Sequence, residues 1–351
     1  MRFGTYHVFQ CPPWMTQEQV FSEELERVDL SEVLGYDSVW VPEQHFYPYC
    51  LCGDALAMGA HIMGRTKRVR VGAAVVNLVF TNPLRFAERV AMLDHLGGGR
   101  MDIGIGRGYQ WPQYAVFGTD IADSRPMFNE ALDIILKAWL PEEFTYDGEF
   151  FQLPPVRIWP VPARRPEEIL LHTAVSPPSI DASIRRGLPA LLSKTFDPIE
   201  SEATWFASYR ASIEAAGKDP EPFLDRATVM KYVFVAPSAD EARDLAREAF
   251  EWDYRVLTQL TTPTEGATLA GHELYTDREE YWPNYDYDEW AENVFIFDDP
   301  KGVADKIAVL RDAGVRNFLG WTGVGGVAHE HITRSMRMFA DEVMPKFQAR
   351  A

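Results

Sequence analysis

Cysteine is scarce in this 351-residue chain: Cys11, Cys50 and Cys52 are the only three, and no Cys-x-x-Cys pair occurs. They are too few and too oddly spaced for a disulfide framework or a thiol redox motif, so a reducing, cytoplasmic setting is expected. Positive charge is short as well. Against 52 Asp and Glu stand 34 Lys and Arg, a formal charge of −18. This balance argues against a broad surface for nucleic acid or anionic membrane, and any anionic ligand has to be met by local positive charge. No apolar run approaches the roughly 18 residues of a membrane-spanning helix. Residues 1–15 alternate in strand fashion around Pro12 and Pro13, without the basic start, apolar stretch and small-residue cleavage site of a secretory signal. Internal repeats and low-complexity tracts are lacking.

What is present fits a globular enzyme: 46% hydrophobic and 25% charged residues, enough to bury a large core. Short β-rich runs alternate with longer amphipathic stretches, the mark of βα units around a parallel sheet. Eight strands are expected at Arg2–Phe9, Ser38–Pro42, Val69–Val76, Met101–Ile105, Glu168–Thr173, Leu188–Leu192, Val229–Val235 and Asn317–Trp321. Several are nearly continuous apolar runs, as in strands covered on both faces. Helices are expected at Thr16–Leu34, Ala55–Met63, Pro83–Leu96, Ser124–Leu140, Pro178–Arg186, Ser201–Ala216, Ala239–Trp252, Pro300–Ala313 and Glu330–Phe347. Eight such units favour an α/β fold of the (β/α)8 TIM-barrel class over an open doubly wound sheet, as a single domain over residues 1–351. Two stretches break the rhythm. Phe144–Ile158 reads as a hairpin with Asp147-Gly148 at its turn. Tyr254–Glu292, polar, aromatic and punctuated by Gly and Pro, reads either as a lid over the active-site face or as an insertion without a role.

Catalytic residues of such a barrel gather at the C-terminal ends of its strands. Glu43-Gln44-His45-Phe46 follows the second strand, Gly104-Ile105-Gly106-Arg107-Gly108-Tyr109 the fourth, and Ser176-Pro177-Pro178-Ser179 the fifth; Ser124-Arg125 opens a helix. The Gly104 segment is not a dinucleotide fingerprint, because Tyr109 stands where the third glycine belongs and Pro112 follows in place of a helix opening. It leaves Arg107 on a flexible strand end, reached by a flat ligand or exposed on a tight turn. Ser176 and Ser179 flank prolines suited to a first helical turn, with hydroxyls and free backbone N–H groups at its positive end; this is a phosphate cradle or an ordinary cap. Together with Arg107 and Arg125 it offers charge-assisted bonds to a phosphate. His45, among aromatic neighbours, is a proton-transfer group or a hydrogen-bonded wall. His329-Glu330-His331 lacks the spacing of a zinc helix, and no metal is assigned.

Taken together, these segments resemble the bacterial luciferase-like family of flavin-dependent monooxygenases, colinearly over nearly the whole chain. The likeness is carried by Gly35-Tyr36-Asp37-Ser38-Val39-Trp40, Glu43-Gln44-His45-Phe46, Val71-Gly72-Ala73-Ala74, Gly106-Arg107-Gly108, Val116-Phe117-Gly118-Thr119-Asp120, Ser124-Arg125 and Val343-Met344-Pro345. The resemblance implies a barrel that binds reduced FMN at its C-terminal face, with the phosphate on Arg107, Arg125, Ser176 and Ser179. Gly106, Val175 and Ala74-Val75 would complete the cofactor site, the last as a cis peptide beneath the ring. Two departures stand out. The family pattern has two adjacent histidines after the second strand, and the first is Gln44 here, which cannot take a proton near neutral pH. Acid/base duty would pass to His45 or Glu43. The family's reactive cysteine after the fourth strand is Gly106, expected to open space beside the flavin.

The resemblance implies a two-component monooxygenase: a separate flavin reductase delivers FMNH2, and O2 reacts through a flavin peroxide with a small-molecule substrate such as a carbonyl compound. Two alternatives are a hydride-transfer oxidoreductase using F420 and a non-catalytic flavin-binding partner subunit. A homodimer is expected, as family members pair through barrel helices.

Overall fold

The computed structural model describes residues 1–192, 194–261 and 285–348. In chain order its strands are β1 (Arg2–Tyr6), β2 (Ser38–Val41), β3 (Arg70–Asn77), β4 (Met101–Gly106), β5 (Phe144–Asp147), β6 (Gln152–Val156), β7 (Leu170–Thr173), β8 (Ala190–Leu192), β9 (Thr228–Val235), β10 (Ile296–Asp298) and β11 (Asn317–Trp321). Eight of them close a ring in the order β1-β2-β3-β4-β7-β8-β9-β11, with β11 returning to β1 and every pairing parallel. The expected barrel is therefore present, and each of the eight sequence-read strands supplies one of its staves. The hairpin is present too: β5 and β6 pair antiparallel outside the barrel. Its turn is fixed by the Glu130 carboxylate, which accepts from the N–H groups of Glu149, Phe150 and Phe151.

Local chemistry explains where the helices start. Thr16 and Gln19 form a reciprocal capping box before α1 (Gln17–Val33), with Oγ1 accepting from Gln19 N at 3.2 Å and Thr16 N donating to Gln19 Oε1 at 2.9 Å. Asp54 caps α2 (Ala55–Arg65), and Asn82 with Pro83 opens α3 (Pro83–Leu96). Next come α4 (Trp111–Phe117) and α5 (Ser124–Ala138). Pro112, expected to stand in place of a helix opening, instead lies in the first turn of α4, where a missing N–H costs nothing. Then follow α6 (Pro166–Ile169), α7 (Pro177–Arg186), α8 (Ile199–Ala215) and α9 (Glu221–Arg226). The helix expected to stop at Trp252 continues, as α10 (Ala239–Thr261), and Tyr287–Asn293 is helical as well. Both flanks of the expected insertion at 254–292 are thus ordered helix, and residues 262–284 lie outside the described residues. β10, which the sequence reading missed, is a three-residue parallel addition to the far end of β9. None of the described helices is long and apolar enough to cross a membrane.

Side chains pack in two shells. One cluster fills the barrel and packs against α1–α5 and Ala239–Thr261, and a second lies between β8, β9 and the helices α7, α8 and Pro300–Asp312. Close packing dictates Gly72: a Cβ there would sit 2.0 Å from the Trp40 ring. The N-terminal mouth is closed by polar residues. Asp102 on β4 accepts from Arg70 Nε and Nη2, each at 2.7 Å, and from Arg226 at 3.0 Å. Burial would raise this carboxyl, but the three guanidiniums of Arg70, Arg226 and Arg164 outweigh it and hold it below its usual range. This end keeps only a small cavity of about 70 Å³, bordered by Arg70, Asp102 and Arg226, and the larger one lies at the opposite end.

Candidate active site

A cavity of about 360 Å³ opens at the C-terminal ends of the barrel strands, within the range of pockets that bury one organic ligand. Nine of the eleven sequence-read site residues line it: Gln44, Ala74, Val75, Gly106, Arg107, Arg125, Val175, Ser176 and Ser179. Glu43 and His45 do not.

One end is cationic. Arg107 leaves β4 and donates to Ser124 Oγ at 3.2 Å; Arg125 stands in the first turn of α5. Arg185, missed by the sequence reading, joins them from α7, where Pro178, Ala182 and Arg185 form one stripe at helical spacing. Arg125 and Arg185 make no hydrogen bond or ion pair with the described residues, whereas the neighbouring Arg186 is held by Asp133. Among the described residues no Asp, Glu or Lys lines the cavity, so three guanidiniums face it on a chain of net charge −18. The serine motif differs from expectation in one respect. Pro177 and Pro178 have no N–H, while the N–H groups of Val175 and Ser176 are spent on Ser179 Oγ at 3.1 and 2.9 Å. Ser179 N and Ile180 N both reach Ser176 O at 3.0 Å. The motif therefore offers hydroxyls and a rigid turn, and not the free backbone N–H groups expected of it.

The floor is the end of β3, where the register against β4 shifts between Ala73 and Val76 and the Ala74-Val75 peptide is cis. Tyr6 Oη donates to Ala74 O at 2.8 Å, fixing this segment from β1. The space expected from Gly106 is already filled: a Cβ at 106 would lie 2.9 Å from Val75 Cγ2 and 3.4 Å from Thr173 Oγ1. Gly106 accommodates the branched Val75, so the two positions are read as a pair.

Gln44 accepts from Gln113 Nε2 at 2.7 Å, which leaves its own NH2 as the group it can offer a ligand. Glu43 lies behind the wall, its two oxygens accepting from Asn77 N at 3.1 Å and Ala55 N at 3.4 Å, while Asn77 Nδ2 donates to Glu43 O. Burial pushes its carboxyl up to about 7 against those two N–H donors. His45 is wrapped by Phe46, Phe80 and Phe117, and desolvation lowers its pKa. The acid/base role expected of these two residues is not matched by their placement; Glu43 instead ties β2 to the end of β3. The histidine that does reach the cavity is His172 on β7. Desolvation lowers it to about 4, so it is neutral at pH 7, with Nδ1 at 2.9 Å from Thr173 O. Nothing near it in sequence marks it, because it lies inside a strand instead of after one. The far end of the cavity is aromatic: Tyr6, Tyr49, Tyr109, Phe196 and Trp321.

Comparison with known proteins adds a family pattern to this geometry. The model of the luciferase-like monooxygenase family matches residues 1–317. An alkanal monooxygenase alpha chain from the Kryptophanaron alfredi symbiont is 32% identical over 193 residues, 55% of this chain and 54% of that protein, so the aligned part spans about half of that relative. The oxygenase component of flavin-dependent trigonelline monooxygenase from Acinetobacter baylyi is 23% identical, covering 99% of this chain and 96% of its own. Among solved structures, monooxygenase RslO1 from Streptomyces bottropensis superposes with a TM-score of 0.83 at 26% identity, over 99% of this chain and 100% of that one. The oxygenating constituent of 3,6-diketocamphane monooxygenase from Pseudomonas putida, in complex with FMN, shares the fold with a TM-score of 0.80 at 21% identity, over 100% and 99% of the two chains.

Proposed function

Because the chain belongs to the luciferase-like monooxygenase family, we propose that it is the oxygenase of a two-component system, in the cytoplasm, that takes reduced FMN from a separate flavin reductase. It uses O2 to place one oxygen atom in a small organic substrate, with carbonyl compounds the first class to test. The observation that carries this reading is the charge of the cavity: among the described residues it is lined by three guanidiniums and no carboxylate, and two of the three have no hydrogen bond or ion pair there, on an acidic chain. That donor set fits a phosphate monoester.

When bound, reduced FMN supplies the two electrons that activate O2. The chain's own residues bind and orient. Arg107, Arg125 and Arg185, with Ser176 and Ser179, hold the phosphate. The end of β3, Ile105 and Val175 would supply the apolar surface that holds the rest of the cofactor. Gln44 donates a hydrogen bond without exchanging a proton, and His172, neutral, offers Nε2 as an acceptor. Tyr6, Tyr49, Tyr109, Phe196 and Trp321 exclude water around the reacting end, which strengthens each polar contact made there.

The test is an anaerobic titration with FMNH2, with F420H2 in parallel, followed by mixing with O2. Stoichiometric FMNH2 binding and a return of oxidised-flavin absorbance slower than that of free FMNH2 are expected. Tight F420H2 binding without FMNH2 binding would move the chain to hydride transfer, and binding of neither would make it a partner subunit. We also propose a homodimer; a monomer at micromolar concentration in sedimentation would refute it.

A further inference from the structure

Along β9 side chains alternate. Met230 meets the cavity, and Tyr232 stacks on Trp321 with ring centroids 4.2 Å apart. Lys231 between them points out of the barrel, towards α8. Its ammonium is fully buried, and so is the nearest carboxylate, Glu202, at 3.6 Å. That separation is an ion pair without a hydrogen bond, and among the described residues neither Glu202 oxygen has a hydrogen-bond partner. Burial drives both groups towards neutrality, raising Glu202 and lowering Lys231. Removing two charges from water is costly, and a pair that makes no hydrogen bond recovers little of the cost. Stability is thus a poor reason for a lysine at this position.

The hydrogen bonds of the ammonium run elsewhere, to Lys194 O at 2.8 Å and Asp197 O at 2.5 Å. These carbonyls are the two ends of a turn that Asp197 N closes on Lys194 O at 2.9 Å, with the Lys194 and Asp197 side chains also paired at 2.9 Å. The two residues between the ends are Thr195 and Phe196, and both line the cavity. Phe196 packs in turn against Tyr232 and Trp290.

We propose that Lys231 is a positioning residue for the cavity: from the outer face of β9 it grips both ends of the turn Lys194–Asp197 and so sets Thr195 and Phe196 against the bound ligand. The flavin reading enters only through the choice of FMN as ligand. Lys231→Met keeps the length of the side chain and removes its donors, whereas Glu202→Gln keeps the grip and removes the partner charge. In Lys231→Met the Asp197 amide exchanges with deuterium about tenfold faster, the dissociation constant for FMN rises about tenfold, and the visible circular dichroism of bound FMN changes. In Glu202→Gln all three stay within about twofold of the wild type. The double variant Lys231→Met with Glu202→Leu leaves no unpaired buried carboxylate and carries the same expectation as Lys231→Met, so a folding failure of the single variant does not block the test. Unchanged exchange at Asp197 without the ammonium overturns the proposal, as do equal shifts in the two single variants. If the wild type binds no FMN the flavin reading falls, and the exchange measurement still decides on Lys231.

Discussion

At the scale of single residues, strand-end position identified the polar part of the cavity lining in advance, because a residue just after a barrel strand has few directions to face other than the mouth. Gln44, Gly106, Arg107, Ser176 and Ser179 were legible in this way. Arg185 was not, since it stands at the far end of a helix and reaches the cavity only because α7 lies along its rim. An arginine without a hydrogen bond or ion pair among the described residues, beside the proposed phosphate site, implies a specific dependence on the phosphate. Arg185→Ala is expected to weaken FMN binding about fivefold, roughly 1 kcal/mol for an exposed charge-assisted bond, and to leave riboflavin binding unchanged. A fluorescence titration with both flavins measures it; equal losses for the two would show that Arg185 acts through the fold and not through the phosphate.

Among elements, caps and hydrophobic periodicity located the helices to within a few residues wherever one face is buried, as the Thr16, Asp54 and Asn82 caps show. They failed at α10, which polar and aromatic residues made to look like loop beyond Trp252, although Leu257, Leu260 and Thr261 are buried against the barrel. They also failed at β10, whose three residues are too few to show a period. The β3–β4 pair shows how one element sets its neighbour's sequence. With Val75 Cγ2 at 2.9 Å from a Cβ built on residue 106, Gly106→Ala is expected to destabilise the protein by about 1–3 kcal/mol. Val75→Ala in the same chain recovers most of that loss. Thermal unfolding of the two single variants and the double variant gives the coupling, and additive losses would mean that the strands move apart instead.

For the whole molecule, buried carboxyls set the pH dependence of stability. Glu43 rises from 4.5 to about 7 and Asp253 from 3.8 to about 7, each chiefly by burial, and Asp253 is held by Tyr232 Oη at 2.7 Å and by Gln10. A carboxyl whose folded pKa exceeds its unfolded value binds the proton more tightly when folded. Its stabilising contribution is complete below the unfolded pKa and is lost as pH rises through the folded one. Glu24 runs the other way. Burial opposes its ionisation, but Arg27 and His7 lower it to about 2, so its contribution is present above 4.5 and lost as pH falls towards 2. The melting temperature is therefore expected to decline between pH 5 and pH 7.5, and Glu43→Gln should reduce that slope; an unaltered slope in Glu43→Gln would remove Glu43 from the explanation. The sequence by itself determined the barrel, its eight staves, the acidic surface and the motifs at the strand ends, because periodicity, caps and composition act locally along the chain. Only the tertiary structure decided that Glu43 and His45 stand outside the cavity and that His172 and Arg185 stand inside it. It also decided that Val75 fills the space beside Gly106 and that a buried lysine grips the turn bearing Phe196. Each of those facts depends on which side chains from distant segments meet when the ring of strands closes, and no local pattern carries that information.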